Sequence, residues 1–577
     1  YRNVEFDRDW NLGSSNIQND EYSANFQTTL SKNKLGNISY HIKTYLKGED
    51  YKGLMNSASS QLAIRKFKID LDSSYLSTKG LRSRTNFLRH NAEISRPVWK
   101  FILGVREAGE QNRFLNLTSD SLFGSSLGFQ EWQSYITTGD SSKKKATLSY
   151  KQRYDYIPYS GKFENSTRVD ETSLSTELTA NPKHTLRTTT TYRVISITDT
   201  LYTAQIPSKN LLNRLDHSLT LWKGIVVANT FYEVGAGQER KQEYFYLQVP
   251  AGQGVYSYLA DYNNNGVKDL DEFAVAVFSD KAEYIRVFIP TNEFITTRSN
   301  QFSEILTFTP SGATSSYEGR QPFHHRFTNQ LLIRLDKKTK DETLLSSLNP
   351  FSRDIDDSLL VSANSSIRNT LYFNRTSPVY GADISIQQNR NKSLLTNGFD
   401  SRVLTSQGLN LRWNLSRTYL ISLSLEKSDK KSSSQFLSSR DYRILAESAE
   451  PKFSYQPGTV FRAIASYKYS NKRNTLGAFG EEATSDKFGL ELKYNTVNTG
   501  SMTAKVNLIN VKYNAPDNSF LSYELLEGLK NGQNITWNMS LQRSLSSSVQ
   551  MSLNYEGRKL KDSKVIHTGG VQVRAFF

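Results

Sequence analysis

Oxygen-bearing side chains recur at regular intervals in one short stretch of the sequence, between positions 261 and 272. Counted from Asp261, they stand at loop positions 1, 3, 5, 9 and 12, and Gly266 takes position 6, where a sharp turn needs a permissive backbone. This spacing wraps six or seven oxygen atoms around a calcium ion, with the last glutamate supplying two of them. The predicted ligands are the side chains of Asp261, Asn263, Asn265, Asp269 and Glu272 and the backbone carbonyl of Val267.

The residues beside this loop indicate which kind of calcium site it would form. Segments 243–249 and 284–289 have the alternation of strands, so the loop joins strands and not the two helices of a calcium sensor. Asparagine at loop positions 3 and 5 lowers the ligand charge, which fits a structural site filled by the millimolar calcium outside cells. A series of Asx turns is the alternative interpretation, although such turns do not require this register.

Apart from the calcium-type loop, no motif in the sequence indicates a functional site, and none points to catalysis. Cysteine is absent, which excludes disulfides and thiolate metal sites, and the seven histidines are widely spread. The adjacent pair His324 and His325 would point to opposite faces of a strand and is better explained as part of a loop. The sequence also lacks G-x-S-x-G, H-E-x-x-H and glycine-rich phosphate motifs. We therefore predict a protein that is not an enzyme and whose cofactor is structural calcium.

Composition excludes a helical membrane protein. The mean hydropathy is -0.56, and no stretch approaches the roughly 18 to 20 apolar residues of a membrane helix. The net charge of +16 comes partly from basic runs at 143–145, 337–340 and 430–431, which we place in turns. With no motif to organise these residues, we predict no nucleic-acid binding and favour solvated loops, a polar lumen or contact with lipopolysaccharide.

Alternating apolar residues recur along the whole chain and predict strands arranged in hairpins. In the second half, 409–415 alternates, turns at 416–418 and continues over 421–425, and 488–494 repeats this pattern before 502–508. The last seven residues, 571–577, alternate in the same way and end on Phe577. We therefore predict an all-β, antiparallel fold.

The lengths of the connections indicate a membrane barrel. Counted back from Phe577, the connections at 544–548, 495–500 and 416–418 are short, whereas 557–564, 512–532, 470–486 and 428–439 are long. Such sorting is typical of a transmembrane β-barrel whose strands span the bilayer with about 9 to 11 residues. The chain length allows roughly 22–28 strands. The predicted parts are 1–234 in the barrel, 235–320 as a β-rich insertion, and 321–577 as the rest of the barrel with its closing strand.

Five segments carry a resemblance to a known group of proteins. They are 5–11, 252–256, 261–273, 284–290 and 567–577. Together they resemble the barrel portion of large outer-membrane proteins of the Bacteroidota, and the final strand resembles the terminal signal of outer-membrane barrels. The resemblance implies a place in the outer membrane with a periplasmic carboxyl terminus and an extracellular insertion. It also implies contact with outer-membrane lipids and lipopolysaccharide.

The same resemblance gives two expectations about function. The first is a transport or translocation channel that works within a larger outer-membrane complex containing surface lipoproteins. The alternative is a non-conducting scaffold barrel that docks surface lipoproteins through its calcium-stiffened insertion. A soluble calcium-binding adhesin is less favoured, because such a protein has no reason to sort its connections by length.

Overall fold

The structure is a computed structural model. It describes residues 10, 20–139, 143–199, 207–262, 264–310, 322–340, 349–351, 360–395, 398–435, 441–477, 480–496, 500–516, 519–546 and 548–575. The described chain divides into two compact units. The first comprises 1–217 with 232–236, and the second comprises 218–231 with 237–577.

Antiparallel strands make up nearly all of the described chain. The first twelve are β1 (Glu21–Lys32), β2 (Gly36–Lys47), β3 (Tyr51–Ile64), β4 (Phe67–Gly80), β5 (Ser83–Val98), β6 (Phe101–Asn116), β7 (Leu127–Thr138), β8 (Lys144–Tyr159), β9 (Lys162–Asn181), β10 (His184–Ile197), β11 (Ser208–Leu221) and β12 (Val226–Gln248). Two short strands follow, β13 (Tyr256–Tyr258) and β14 (Phe273–Val275).

Thirteen further strands complete the sheet. They are β15 (Tyr284–Phe308), β16 (Phe327–Thr339), β17 (Leu360–Phe373), β18 (Tyr380–Leu395), β19 (Gly398–Asn414), β20 (Tyr419–Ser434), β21 (Tyr442–Tyr455), β22 (Phe461–Asn474), β23 (Glu482–Thr496), β24 (Gly500–Tyr513), β25 (Gly532–Ser544), β26 (Val549–Lys559) and β27 (Ile566–Ala575). One α-helix, α1 (Phe520–Leu526), lies between β24 and β25, and short 3-10 turns occur at Trp222–Gly224, Leu270–Glu272, Ser279–Lys281 and Phe323–Arg326.

The strands join one sheet of 27 strands in which most neighbours along the chain pair antiparallel, as β22 with β23 and β23 with β24, while β12 pairs with β15 across the two short strands. The predicted fold class, a large all-β antiparallel assembly within the range of 22–28 strands, is confirmed. In the part of the chain that the structure describes, no helix has the length and apolar character needed to cross a membrane. The predicted closing strand is β27, while Phe576 and Phe577 lie outside the described residues.

Register places the exposed large apolar side chains of β23 and β24 on one face of the sheet. In the second unit, Phe488 pairs with Leu508 and Leu490 pairs with Val506. Partners in an antiparallel ladder share a face, so these residues form a continuous apolar surface. Phe488, Leu490 and Leu508 remain 58%, 51% and 53% exposed. The opposite face, which we call the polar face, carries lysine, glutamate and asparagine side chains over most of its length and a buried apolar cluster only next to helix α1.

The first unit has the same division between an apolar and a polar face. Leu103 of β6 pairs with Ile136, which pairs with Leu148, which in turn pairs with Leu174 of β9. Leu103, Leu148 and Leu174 are exposed. The alternation predicted from the sequence therefore extends through the hydrogen-bonded register of this unit as well.

The predicted sorting of connections holds in the last part of the chain. From β19 to β27, short connections at 415–418, 456–460, 497–499 and 545–548 alternate with longer ones at 435–441, 475–481, 514–531 and 560–565. The first unit does not follow this rule, since two-residue turns at 81–82 and 160–161 stand where long connections are expected. The length pattern is therefore a property of β19 to β27 only.

Most strands are longer than the sequence predicts. β5, β6 and β8 each have 16 residues, and β9 has 20. Their ladders continue beyond the apolar positions into polar sequence. For this reason the placement of the basic runs in turns is wrong. Lys144 and Lys145 begin β8, Lys337 and Lys338 lie in β16, and 430–431 lies within β20.

Candidate functional site: an arm against the polar face

The longest strands of the sheet lead into and out of the predicted insertion. β12 has 23 residues and β15 has 25, so the two strands run into the 235–320 region that the sequence marks as inserted. Residues 249–283 connect them, and we call this segment the arm. Within the arm, β13 pairs antiparallel with β14. Val255 N also donates to Tyr284 O at 2.8 Å, which fixes the arm to the start of β15.

Aromatic side chains give the arm a core of its own. Phe273 is 2% exposed, and its ring stacks on Tyr246 of β12 with 4.1 Å between ring centroids. Tyr284 and Tyr258 contact the same ring edge-on. Offset and edge-on aromatic pairs add stabilisation beyond the area that they bury. The arm is therefore a packed element and not an extended loop.

The calcium-type loop is the connection between β13 and β14. Its two ends are joined by Leu259 N, which donates to Glu272 O at 2.8 Å. The Glu272 side chain is only 1% exposed, and its carboxylate accepts hydrogen bonds from Tyr262 N at 2.9 Å and Asp269 N at 3.0 Å. Desolvation, followed by the charges of Glu272 and Asp261, raises the pKa of Tyr258 beside the loop. Glu272 thus ties both halves of the loop together from the inside.

The structure brings several of the predicted ligands into one turn. Asp261 accepts from Asn265 N at 3.2 Å and from Gly266 N at 2.8 Å, and Gly266 has a φ of +73°, which fits its position at the sharp turn. Asn265 Nδ2 donates to Asp269 at 2.7 Å. Val267 is exposed, and its N–H donates to Asn265 Oδ1 at 2.7 Å.

The turn predicted by the motif is therefore present, but a converging set of ligands is not seen. The described residues contain no group of three acidic, histidine or cysteine side chains arranged to hold a metal. Asn263, at loop position 3, lies outside the described residues. In this structure the carboxylates of Asp261 and Glu272 are engaged with backbone N–H groups of the loop. Calcium binding accordingly stays a prediction.

The tip of the arm, residues 277–281, contacts the sheet through a buried ion pair. Asp280 binds Arg558 of β26 through both carboxylate oxygens, with 2.7 Å between Arg558 Nη2 and Asp280 Oδ2. The side chains are only 18% and 6% exposed, respectively. Ser279 Oγ donates to Glu556, and the Arg558 guanidinium lies 4.1 Å from the centre of the Phe278 ring. Three consecutive arm residues are thus held by two residues of β26.

Helix α1 makes a second attachment for the arm. Ser519 caps the helix by accepting from Ser522 N at 3.0 Å, which satisfies one of the free N–H groups of its first turn. Leu525 and Leu526 are buried in a cluster with Ile509 and Val511 of β24. Tyr523 OH accepts from Val277 N at 2.9 Å and donates to Val275 O at 3.3 Å. The helix therefore bridges the sheet and the arm.

The contacts of the arm tip and of helix α1 with the sheet lie on the polar face of the second unit. Glu556 and Arg558 pair with Asn538 and Thr536, whereas Trp537 points to the apolar face. A cavity of about 260 Å³ remains beneath Phe278. Trp537 and Ile566 also line it, but most of its lining is polar and consists of Lys505, Asn507, Thr536, Asn538, Glu556, Arg558 and Thr568. The arm therefore covers polar, water-compatible surface and leaves the apolar face open.

No local feature of the sequence indicates these contacts. Asp280 and Arg558 are 278 positions apart, and each is an ordinary charged residue in its own surroundings. The one available signal was Ser519, a good helix cap, before the apolar pair Leu525 and Leu526. That signal indicates helix α1 but not the surface on which it packs.

Comparisons with known proteins add little to this description. No protein-family model and no curated protein matches the sequence. Among solved structures, the chain is similar to the ferric-catecholate import receptor Fiu of E. coli K12, with 9% identity, a TM-score of 0.28, and coverage of 91% of this chain and 77% of that one. The copper transporter OprC gives 8% identity, a TM-score of 0.31, and coverage of 98% and 82%. The ferric preacinetobactin receptor BauA of Acinetobacter baumannii gives 11% identity, a TM-score of 0.30, and coverage of 94% of this chain and 85% of that one. TM-scores this low give no basis for transferring a function.

Proposed function

We propose that the chain is an outer-membrane transport or translocation channel in which the polar face lines the passage and the arm covers it. The observation that carries the proposal is the division of the sheet into two chemically opposite faces. Phe488, Leu490 and Leu508 alone expose on the order of 300 Å² of apolar surface, about as much as the largest patch on an ordinary soluble monomer. The apolar face continues over the neighbouring strands, so lipid is the environment that suits it.

The opposite face requires water. Lysine, glutamate and asparagine side chains on β22 to β26 would be costly to place in hydrocarbon, where no water is present to hydrogen-bond them. Antiparallel strands with lipid on one side and water on the other enclose an aqueous lumen in membrane barrels. We therefore assign the polar face to the passage, and the arm that lies on it to a cover of that passage.

The orientation follows from the resemblance of the final strand to closing strands of outer-membrane barrels. In this proposal the end of β27 is periplasmic, and the arm emerges on the extracellular side together with the long connections 514–531 and 560–565. Lipopolysaccharide and surface lipoproteins are then the expected neighbours, the latter within a larger outer-membrane complex of the kind found in the Bacteroidota. A scaffold role would need the lipoprotein contact but not an open passage.

We further propose that calcium stiffens the arm. The ligands would be Asp261, Asn263, Asn265, Val267 and Asp269, with Glu272 as the residue able to supply two oxygens. Support comes from the spacing of the motif and from the turn at Gly266. When bound, the ion would supply positive charge to a loop whose carboxylates otherwise depend on backbone N–H donors.

The proposal is tested by extraction and by conductance. The protein should remain with the membrane fraction until detergent is added, and the unheated protein should migrate faster than the boiled protein on a gel. In a planar bilayer, replacing 251–282 by a short glycine-serine linker should increase conductance relative to the full chain. Release from the cell envelope without detergent would refute the membrane assignment. Equal and negligible conductance of both forms would refute the channel and favour the scaffold.

A further inference from the structure

Positive charge is concentrated on the polar face of β21 to β24. The strand register places seven basic side chains on this face and two acidic ones, Glu450 and Glu491. The basic residues are Lys452, Arg462, Lys468, Lys472, Lys487, Lys493 and Lys505. Seven positive charges against two negative ones leave an excess of five on four adjacent strands.

Most of these basic groups have a nearby carboxylate. Lys452 lies 3.1 Å from Glu450, while Glu491 lies 2.8 Å from Lys493 and 3.8 Å from Lys505. Lys472 lies 2.5 Å from Glu527, the residue that follows helix α1. One carboxylate thus serves both Lys493 and Lys505, so Lys505 is only weakly compensated.

Two lysines on this face have no carboxylate of a described residue within ion-pair distance. Lys468 and Lys487 stand directly opposite each other across β22 and β23. Neither forms an ion pair with any described residue. Like charges directly opposite in a sheet destabilise it, so an anion between them would remove a standing repulsion. Arg462 Nε on the same face is also buried without a hydrogen-bond partner.

Polar groups and a cavity lie near this pair. Gly489 follows Lys487 by two positions on the same face and pairs with Asn507. Ser466 Oγ and Asn507 Oδ1 fill the space above Gly489, because a Cβ atom there would come within 2.6 Å and 3.0 Å of them. Lys505 and Asn507 also line the cavity beneath Phe278. The cavity therefore reaches β24, the strand next to Lys487.

An acidic group of the chain already responds to this positive field. Desolvation raises the pKa of Glu527, but the charges of Lys472, Lys468 and Lys487 outweigh it and hold the pKa below its ordinary value. A carboxylate on a solute would meet the same lysines from the open side of the polar face.

We propose that Lys468, Lys487 and Lys505 form a binding site for an anionic oxygen group, a phosphate or a carboxylate, carried by a solute of the channel. That the bound molecule is a transported solute rests on the function proposed above, whereas the binding itself does not. Three ammonium groups on one face of three adjacent strands suit a group with several negatively charged oxygens. The competing explanation is that dissolved salt screens the repulsion between the three lysines. This explanation predicts no saturable binding of an anion.

The first test uses the full chain in detergent and needs no conductance. Lysines are acetylated with and without pyrophosphate or citrate, and sodium chloride at equal ionic strength serves as the control. Mass spectrometry should find acetylation of Lys468, Lys487 and Lys505 slowed about tenfold at saturating anion, equivalent to ~1.4 kcal/mol. Lys427, which is 66% exposed and paired with Glu447 on the other face, should react at an unchanged rate.

The outcomes separate the possibilities. Protection by both probes supports a site for anionic oxygen, and protection by pyrophosphate alone assigns it to phosphate. Slowing that sodium chloride reproduces, or that is equal at Lys427, overturns the site. In a planar bilayer, K468Q/K487Q should reduce the preference for chloride over potassium about tenfold, whereas K427Q should not change it. Protection without conductance retains the site and refutes the channel, and conductance without protection does the reverse.

Discussion

Removing the negative charge of Asp280 should release the arm from the polar face. In D280N, the Arg558 side chain, which is 6% exposed when the arm is docked, loses its ionised partner. Two unit charges about 4 Å apart attract by ~4 kcal/mol at an effective dielectric constant of 20, and breaking a buried pair costs roughly 3–5 kcal/mol. Asp280 is 18% exposed, and the Phe278 ring still contacts the guanidinium, so we expect a loss of about 2–3 kcal/mol in docking free energy.

This loss should raise the undocked population of the arm tip about 30- to 150-fold. Hydrogen exchange measures it directly, because the Val277 amide is hydrogen-bonded to Tyr523 of helix α1 at 2.9 Å only while the tip is docked. Trypsin cleavage after the exposed Lys281 offers an independent reading, since cleavage of a rapidly opening segment follows the open population. D562N removes a carboxylate from an exposed connection without a described ion pair and is the matched control.

A double-mutant cycle decides whether the ion pair itself is responsible. R558Q should have nearly the same effect as D280N, and the double variant should add little, which gives a coupling energy of about 2 kcal/mol. Exchange at Val277 that is unchanged in D280N would refute the docking argument. Strictly additive effects would show that the two residues act separately and that the arm is held by other contacts.

Three further substitutions address the membrane face, the calcium loop and the helix. L490R places a charge on the apolar face and should cost ~2–4 kcal/mol in the bilayer; normal amounts of heat-modifiable protein would contradict the lipid assignment. E272Q should lower calcium affinity at least about tenfold in terbium luminescence, whereas E283Q should not; the absence of a saturable signal in the unmodified chain would remove the calcium proposal. The pKa of Glu527 is lowered from 4.5. The stabilisation that its ion pair with Lys472 gives to helix α1 is therefore present above pH 4.5 and is lost as the pH falls through the folded-state pKa. Because Glu527 is 67% exposed, E527Q should change helix stability at neutral pH by less than about 1 kcal/mol, and an equal effect below pH 4 would contradict this assignment.

The strands were predictable because the rule that sets them is local. A side chain at position i and one at i+2 share a face in any strand, so Phe488 and Leu490 could be assigned to one surface from the sequence alone. The register of β23 with β24 then follows from matching apolar positions. The calcium-type loop is local in the same sense, since Leu259 N bonds to Glu272 O within one hairpin.

Strand ends were harder to predict because apolar alternation marks only the part of a strand that needs an apolar side. The ladder of β20 with β21 runs on to Ser432 and includes Lys430 and Lys431. β20 is polar on both faces there, and it is ordered by hydrogen bonding to β21, whose Tyr442 and Ile444 are buried in the cluster with helix α1. Basic residues that look like turn residues in the sequence therefore lie in strands.

The docking of the arm had no sequence signal, for a related reason. Its contacts join Phe278 and Asp280 to β26, and Val277 to helix α1, across at least 246 positions. Each partner is placed by a different local element, and their meeting depends on the complete register of β15 to β26. A pattern that repeats along the chain can be read from the sequence, whereas a single pairing such as Asp280 with Arg558 cannot.

The position of the lysines in strands also changes the interpretation of the net charge of +16. If its lysines lay in turns, their charges would be spread through solvent and screened within about 10 Å at ordinary salt concentrations. In strands, alternate residues point to opposite faces of the sheet. Lys468, Lys487 and Lys505 therefore lie on the same face of three adjacent strands. Helix α1 and the tip of the arm pack on the same face, and charges interact more strongly where water is excluded. Under the proposed function, this concentrated positive charge would belong to the lining of the passage and not to the outer surface.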